Sequence, residues 1–149
     1  MLELRESTKD EIEQFVQMEQ SEDTARHVIP WSVEKHLSEM QNESIVYLSI
    51  YVDRILSGFI ILFLEEAGVI EFRRIVISSK GKGLGQRAIK QMEKYCIEEL
   101  KGSKVWLDVF ESNHRGRHIY NKLGYRQFKI GSHEGRTLIF MEKPLFLTS

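Results

Sequence analysis

The stretch RRIVISSKGKGLGQRAIKQMEKY, residues 73–95, constrains the fold more than any other part of the chain. An apolar, β-branched run ends at Ile77, and helix-forming residues with a periodic apolar face begin near Gly83. Gly81, Gly83 and Gly85 lie between the two runs, where glycine lets the backbone turn sharply and approach a ligand closely. The pattern predicts a strand, a tight turn and a helix whose free N–H groups favour an anion.

The residues alone leave three interpretations of this glycine turn. A P-loop needs a Gly-Lys pair followed by Ser or Thr to hold magnesium, and no such hydroxyl follows here. A dinucleotide-binding turn has the spacing GxGxxG on the first strand-helix unit, whereas this chain has GxGxG in its middle. In the third interpretation the glycines serve only the turn itself. Both nucleotide-binding patterns are therefore incomplete.

The remaining sequence predicts a mixed α/β domain. Strand-like runs occur at 2–7, 45–52, 55–64, 69–77, 104–110, 125–130 and 136–143. Helical periodicity with capping signals occurs at 8–19, 32–40, 83–100 and 113–123. The order βααβββαβαββ predicts a single domain over 1–149 with one mixed, mostly antiparallel sheet of about seven strands and helices on both faces.

Composition and charge exclude several classes of protein. The 21 basic and 22 acidic residues give a formal net charge of -1, so no overall field draws the chain to nucleic acid or to an anionic membrane. The longest apolar stretch, FIILFL at 59–64, is too short to cross a bilayer, and MLELREST lacks the apolar segment of an export signal. We therefore expect no nucleic-acid partner, no membrane insertion and no export.

Cysteine and histidine usage argues against disulfide and metal chemistry. Cys96 is the sole cysteine, which excludes an internal disulfide and suits a reducing compartment, with the cytoplasm as the expected location. Cys96 falls on the apolar stripe of its helix and is predicted to be a core residue. No metal is expected, because no metal-ligand spacing joins His27, His36, His114, His118 and His133.

The glycine turn resembles the pyrophosphate-binding motif of the GNAT family of N-acetyltransferases. That motif is Arg or Gln, two residues, Gly, one residue, then Gly or Ala, and Lys80, Gly83 and Gly85 occupy those places. Lys80 departs from the motif, because lysine supplies a point charge in place of a planar group.

A second segment, NHRGRHIYNKLGY at 113–125, resembles the other signature of the same family. Asn113 and Tyr120 stand before the turn Leu123-Gly124-Tyr125, and Gly116 occupies a position where the family usually has Ala. The order of predicted elements agrees with the family over nearly the full chain. The resemblance implies the acyl-CoA N-acyltransferase fold and an acetyl-CoA-dependent enzyme.

If the resemblance holds, the anion on the glycine turn is the pyrophosphate of coenzyme A. The strand before the turn would pair with the pantetheine arm, and one of its amides would polarise the thioester carbonyl of acetyl-CoA. The residues implied to bind this co-substrate are Ile75, Val76, Ile77, Lys80, Gly81, Lys82, Gly83, Leu84, Gly85, Gln86, Asn113 and Tyr120.

The resemblance also implies direct acetyl transfer to a primary amine, which must lose a proton before it attacks. Glu71 is the candidate base, because strand alternation places it on the same face as Ile75; the alternative is a surface or substrate-orienting group. Tyr120 is the candidate acid for the departing thiolate, or else an aromatic packing group beside pantetheine. Asn113 either contacts the cofactor or caps the helix.

For several other polar residues the sequence allows two interpretations. Arg73 and Arg74 are adjacent in a strand, so they are expected on opposite faces, with one lining the acceptor cleft or both solvated. Arg115 and Arg117 either reach phosphates or lie on a solvated helix face. The segment HVIPW, 27–31, falls where the resemblance places the acceptor-site wall, although Trp31 also fits a core or lid position.

The identity of the acetyl acceptor stays open at the level of sequence. A small-molecule amine and a peptide or protein amine are both compatible with the resemblance, and so is a homodimer. A regulatory module of the same fold that binds coenzyme A without catalysis is the alternative function, and a nucleotide-binding protein is the third hypothesis.

Overall fold

The computed structural model describes residues 1–25, 28–78 and 83–146, which fold around one seven-stranded sheet with strand order β1-β2-β3-β4-β5-β7-β6. Only β4 and β5 run parallel, and all other neighbours are antiparallel. The predicted mixed sheet is thus confirmed. The strands are β1 Leu2–Glu6, β2 Ile45–Val52, β3 Ile55–Leu64, β4 Val69–Ile77, β5 Lys104–Phe110, β6 Arg126–His133 and β7 Arg136–Pro144.

Helices cover both faces of the sheet, as the sequence predicts. The helices are α1 Ile12–Glu19, the single turn α2 Glu22–Ala25, α3 Val33–Met40, α4 Leu84–Glu98 and α5 His114–Lys122. Side chains of α1 and α3 pack on one face of the sheet, called here the α1/α3 face, and those of α4 and α5 pack on the other, the α4/α5 face. The element order matches the prediction except for α2. None of the helices in the described ranges could span a membrane.

Two tight turns set the register of the hairpins. Asp53 and Arg54 join β2 to β3 with φ of 49° and 70°, and Glu134 and Gly135 join β6 to β7 with φ of 50° and 79°. Positive φ at both central residues matches the right-handed twist of the flanking strands. The strand predicted to end at residue 130 is longer in the structure, because Gly131 to His133 continue the pairing with β7.

A β-bulge in β4 reverses the alternation of side chains within that strand. Ile61 of β3 pairs with Arg74 and Leu62 pairs with Phe72, so Arg73 is an extra residue without a partner on β3. Before the bulge Phe72 packs in the core of the α4/α5 face, and after it Ile75 packs on that same face. A residue inserted in one strand shifts every later side chain by one position.

The bulge overturns two predictions from strict alternation. Glu71 pairs with Phe63, which packs on the α1/α3 face, so Glu71 does not share a face with Ile75. Arg73 and Arg74 were expected on opposite faces, yet both turn to the α1/α3 face. The Arg73 guanidinium lies 4.7 Å from the Phe63 ring centroid, and Arg74 binds Glu19 of α1.

The parallel strands β4 and β5 separate soon after they meet. They pair only over three positions, Val69 with Lys104, Ile70 with Val105 and Glu71 with Trp106. Beyond these pairs, the described residues 72–77 of β4 and 107–110 of β5 have no ladder between them. The backbone edge of β4 is therefore open to a ligand at the point where the strand approaches α4.

Candidate active site

A cleft of about 670 Å³ passes through the opening between β4 and β5. The start of α4 and Tyr120 of α5 line its end on the α4/α5 face. Arg74, Thr24 and Ile29 line its other end, on the side of α1 and α2. A ligand can therefore reach the separated strands from either face of the sheet.

The N-terminus of α4 opens into this cleft without a side-chain cap. Gly83 is the N-cap residue with φ of 68°, a left-handed conformation that favours glycine, and a Cβ there would have no atom within 4 Å. The first backbone hydrogen bond of the helix runs from the Arg87 N–H to the Gly83 carbonyl at 3.1 Å. The N–H groups of residues 84–86 have no acceptor among the described residues and are thus available to an anion.

The predicted cofactor residues fall into two groups. Ile75, Val76, Ile77, Gly83, Leu84, Gly85, Gln86, Asn113 and Tyr120 all line the cleft, whereas Lys80, Gly81 and Lys82 lie outside the described residues. The structure therefore brings every described member of the predicted set to one cavity. Their contacts with coenzyme A stay a prediction.

Tyr120 sits between aromatic neighbours at the wall of the cleft. Its ring lies edge-on to Phe72 and Tyr125, with centroids 6.2 and 5.9 Å away. Burial raises the pKa of the Tyr120 phenol to about 12, and the charge of Asp108 adds to this effect. Among the described residues no group hydrogen-bonds to its hydroxyl. The phenol is thus protonated at neutral pH and free to donate.

Asn113 is the N-cap of α5, and this interpretation of the residue is confirmed. Its Oδ1 accepts a hydrogen bond from the Gly116 N–H at 2.9 Å. A Cβ at Gly116 would lie 2.7 Å from Asn113 Nδ2, so the glycine leaves room for the capping carboxamide. Asn113 also lines the cleft, and its contact with a cofactor stays a prediction.

Glu71, the predicted base, is held by its neighbour Arg73. Its Oε1 accepts hydrogen bonds from Arg73 Nε at 3.1 Å and from Nη2 at 2.8 Å. The Glu71 carboxylate is therefore engaged by two charge-assisted hydrogen bonds from one guanidinium.

Sequence reasoning missed Asp108 of β5, which lines the cleft on the α1/α3 face. Its side chain opens into the cleft, yet the surrounding protein reduces its solvation and raises the pKa of the carboxyl, with a further contribution from the charge of Glu71. His133 and Arg73 act in the opposite direction. In the described ranges no salt bridge is formed by Asp108. A lone carboxylate in the apolar strand KVWLDVF was the available signal.

The other predicted residues around the cleft have clear positions. Trp31 packs against the core of the α1/α3 face, with the Arg74 guanidinium 4.0 Å from its ring centroid. His27 lies outside the described residues. Arg115 lines the cleft, whereas Arg117 donates to the Glu111 carbonyl at 3.0 Å.

Cys96 lies in the core, away from the cleft. Cys96 is fully buried beside Met92, which confirms its predicted core position, and burial raises the pKa of its thiol to about 12. Within the ranges that the structure describes, no three side chains of His, Cys, Asp or Glu are grouped to hold a metal ion.

A sheet that opens beside an uncapped helix N-terminus, with a protonated phenol in the opening, defines a coenzyme A-dependent acyltransferase fold. The chain belongs to the acetyltransferase (GNAT) family, whose sequence profile it matches over residues 5–125. It is therefore an enzyme of the acetyl-CoA-dependent N-acetyltransferase class.

Solved structures support this fold over the whole chain. A spermidine N-acetyltransferase from Vibrio cholerae, in complex with CoA and spermine, is similar with a TM-score of 0.82 and 17% identity, covering 96% of this chain and 95% of that one. The ribosomal-protein-S18-alanine N-acetyltransferase from Escherichia coli has a TM-score of 0.80 and 19% identity, covering 100% and 97%. An aminoglycoside acetyltransferase in complex with coenzyme A and kanamycin has a TM-score of 0.82 and 15% identity, covering 97% and 95%. Identities this low establish the fold and leave the acceptor undefined.

Proposed function

We propose that this protein transfers the acetyl group of acetyl-CoA directly to a primary amine of a small molecule, peptide or protein. One observation carries the proposal: Tyr120, a protonated phenol, shares a cleft with the open α4 N-terminus and the carboxylate of Asp108, and neither side chain has a hydrogen-bond or salt-bridge partner among the described residues. These are an anion site, a proton donor and a proton acceptor. Such groups are what thioester aminolysis requires.

The proposed cofactor site consists of the open edge of β4 and the start of α4. Ile75, Val76 and Ile77 would bind the pantetheine arm through the backbone groups that β5 leaves unpaired. The free N–H groups of residues 84–86, with the space above Gly83, fit a diphosphate. We include Lys80, Gly81, Lys82 and Asn113 in the proposed site on the strength of the family motifs. Acetyl-CoA supplies the activated acetyl group.

For the proton acceptor, we propose Asp108 in place of Glu71. Asp108 is unpaired among the described residues, whereas the Glu71 carboxylate is bound by Arg73. Asp108 is also close enough to Tyr120 for its charge to raise the pKa of the phenol. As the new carbon–nitrogen bond forms and the carbon–sulfur bond breaks, Asp108 takes the proton of the amine and Tyr120 gives one to the thiolate.

The sequence also supports inferences about domain organisation, cellular location and partners. We infer a single domain over 1–149, a reducing cytoplasmic location, no resident metal and no nucleic-acid partner. A homodimer is compatible with this assignment. The buried, unpaired thiol of Cys96 is consistent with a direct transfer that forms no acetyl-enzyme.

The function is tested by thiol release from acetyl-CoA in the presence of pooled primary amines. We expect release that depends on both the protein and an amine, with the acetylated amine detected by mass spectrometry. Coenzyme A binding without any turnover would instead identify a regulatory module. Displacement of coenzyme A by ATP at similar concentrations would favour a nucleotide-binding protein.

Replacing Asp108 by Asn is expected to lower kcat/KM at pH 7 by about a hundredfold, because the amine loses its proton acceptor. In the unaltered protein the acid limb of kcat/KM should lie above the usual Asp range near 3.9, since the pKa of Asp108 is raised. Because Asn does not titrate, the fall of kcat/KM that is due to protonation of Asp108 should be absent from the pH profile of the variant.

The loss of activity in Asp108→Asn should not be accompanied by a loss of stability. A raised pKa in the folded state means that the ionised Asp108 destabilises the fold as pH rises above its unfolded pKa, so Asp108→Asn should not lower the melting temperature at pH 7. Glu71→Gln is the matched control and should have the smaller kinetic effect. A larger loss in Glu71→Gln would return the role of base to Glu71.

A further inference from the structure

Arg74, on the acceptor side of the cleft, keeps hydrogen-bond donors that no group in the described ranges accepts from. Its side chain is 9% exposed, and its Nη1 donates to Glu19 Oε2. Nε and Nη2 have no acceptor among the described residues. Arg74 also lines the cleft, so these two donors are placed to meet a ligand there.

The carboxylate that holds Arg74 is itself fixed by two further groups, the Trp31 backbone N–H and the His36 ring. Glu19 is fully buried in α1, and its Oε1 accepts the Trp31 backbone N–H at 3.1 Å and lies 2.8 Å from His36 Nε2 of α3. The other ring nitrogen of His36 lies 2.7 Å from the Tyr47 hydroxyl. The guanidinium is therefore preorganised, with its carbon 4.0 Å from the Trp31 ring centroid.

This arrangement is costly as a purely structural device. A buried ion pair contributes little net stability compared with apolar side chains of similar volume, because both charges lose their hydration. In addition, the bulge at Arg73 is what turns Arg74 towards α1. Bulges commonly redirect a side chain next to an active site.

The charge balance around Arg74 indicates which chemical group it suits. Glu19 neutralises the guanidinium, so the free Nε and Nη2 groups offer hydrogen bonds without an excess positive charge. A neutral carbonyl oxygen is a better match than a free carboxylate. Asp108, across the opening, is the group that suits the amine.

Resting on the proposed acetyl transfer, we propose that Arg74 determines specificity by binding a carbonyl oxygen beside the reacting amine. The acceptor is then an α-amino carbonyl compound. Amino-acid amides and the first residue of peptides have this group. Paired strands lie about 4.8 Å apart, and β4 and β5 are further apart at the cleft. In this arrangement the amine faces Asp108 of β5, and the carbonyl oxygen, attached to the next carbon, faces Arg74 of β4.

The test compares matched acceptors in the protein and in Arg74→Gln. Thiol release is measured with amino-acid amides, dipeptides, free amino acids and a pool of oxygen-free amines that includes spermidine. We expect the amides and dipeptides to be preferred, and Arg74→Gln to lower their kcat/KM at least about tenfold, the effect of one lost charge-assisted hydrogen bond. The kcat/KM of the best oxygen-free amine should change much less.

Arg73→Gln is the matched control, because it alters the same bulge while Arg73 already donates to Glu71. In Arg73→Gln, the kcat/KM for an amide divided by the kcat/KM for the oxygen-free amine should equal the same ratio in the unaltered protein. An equal loss of this ratio in Arg73→Gln would overturn the assignment to Arg74. A preference for free amino acids would show that Arg74 binds a carboxylate and would overturn the assignment of a neutral carbonyl. Turnover of the oxygen-free amines alone would show that the acceptor is not an α-amino carbonyl compound.

Two further measurements keep the result independent of folding and turnover. If Arg74→Gln fails to fold, a double variant that combines Glu19→Gln with Arg74→Gln is tested in its place. The double variant removes both charges of the buried pair, so that no charge is left without a partner. Calorimetric titration of alaninamide into the protein saturated with coenzyme A should show binding that weakens about tenfold in the variant. Unchanged binding would overturn the proposal, whereas coenzyme A binding with no turnover of any amine would reject the proposed acetyl transfer as well.

Discussion

Tyr120→Phe should lower kcat at least about tenfold while the affinity for coenzyme A stays within about twofold. The change removes one hydroxyl and keeps the ring between Phe72 and Tyr125, so the shape of the cleft is preserved. The phenol has a pKa raised to about 12 and is a proton donor over the whole working range of pH. Single-turnover thiol release and calorimetric titration of coenzyme A measure the two quantities separately.

Tyr125→Phe is the matched control for this experiment. The Tyr125 hydroxyl donates to Glu93 at 2.9 Å inside the core, so its removal should lower the melting temperature and leave kcat nearly unchanged. Equal kcat in Tyr120→Phe and the unaltered protein would show that water or another group protonates the thiolate. A loss of coenzyme A affinity in Tyr120→Phe would instead indicate a packing role.

The sequence predicts the elements of this fold well because each has a strong local signal. Strand order along the chain, the capping of α3 by Ser32 and the core position of Cys96 follow from periodicity and capping rules. The two family motifs then bring Gly83, Asn113 and Tyr120 to one cleft. Local patterns and a shared topology are enough for this level of description.

The side chains on the acceptor side could not be predicted in the same way. The bulge at Arg73 depends on pairing with β3, and it invalidates the alternation that placed Glu71 with Ile75. Glu19 lies on the apolar stripe of α1, but its partners Arg74 and His36 are distant in sequence. Such contacts form only in the folded chain, where a buried charge requires a partner.

Gly83→Glu should lower the affinity for coenzyme A by more than about a hundredfold. A side chain at this left-handed position costs about 1–2 kcal/mol of backbone strain, although its Cβ would meet no other atom. The new carboxylate would compete with the diphosphate for the free N–H groups of α4 and repel it. Calorimetric titration with coenzyme A measures the loss, and the melting temperature reports whether the variant is folded.

Gly83→Asn separates backbone strain from charge, because Asn tolerates a positive φ and is neutral. Its affinity for coenzyme A should fall by no more than about tenfold, since only the strain remains. S-acetylpantetheine has no diphosphate and should bind the unaltered protein and Gly83→Glu about equally. A loss of coenzyme A affinity in Gly83→Glu no larger than that in Gly83→Asn, or an equal loss with S-acetylpantetheine, would contradict the assignment of the diphosphate to the N-terminus of α4.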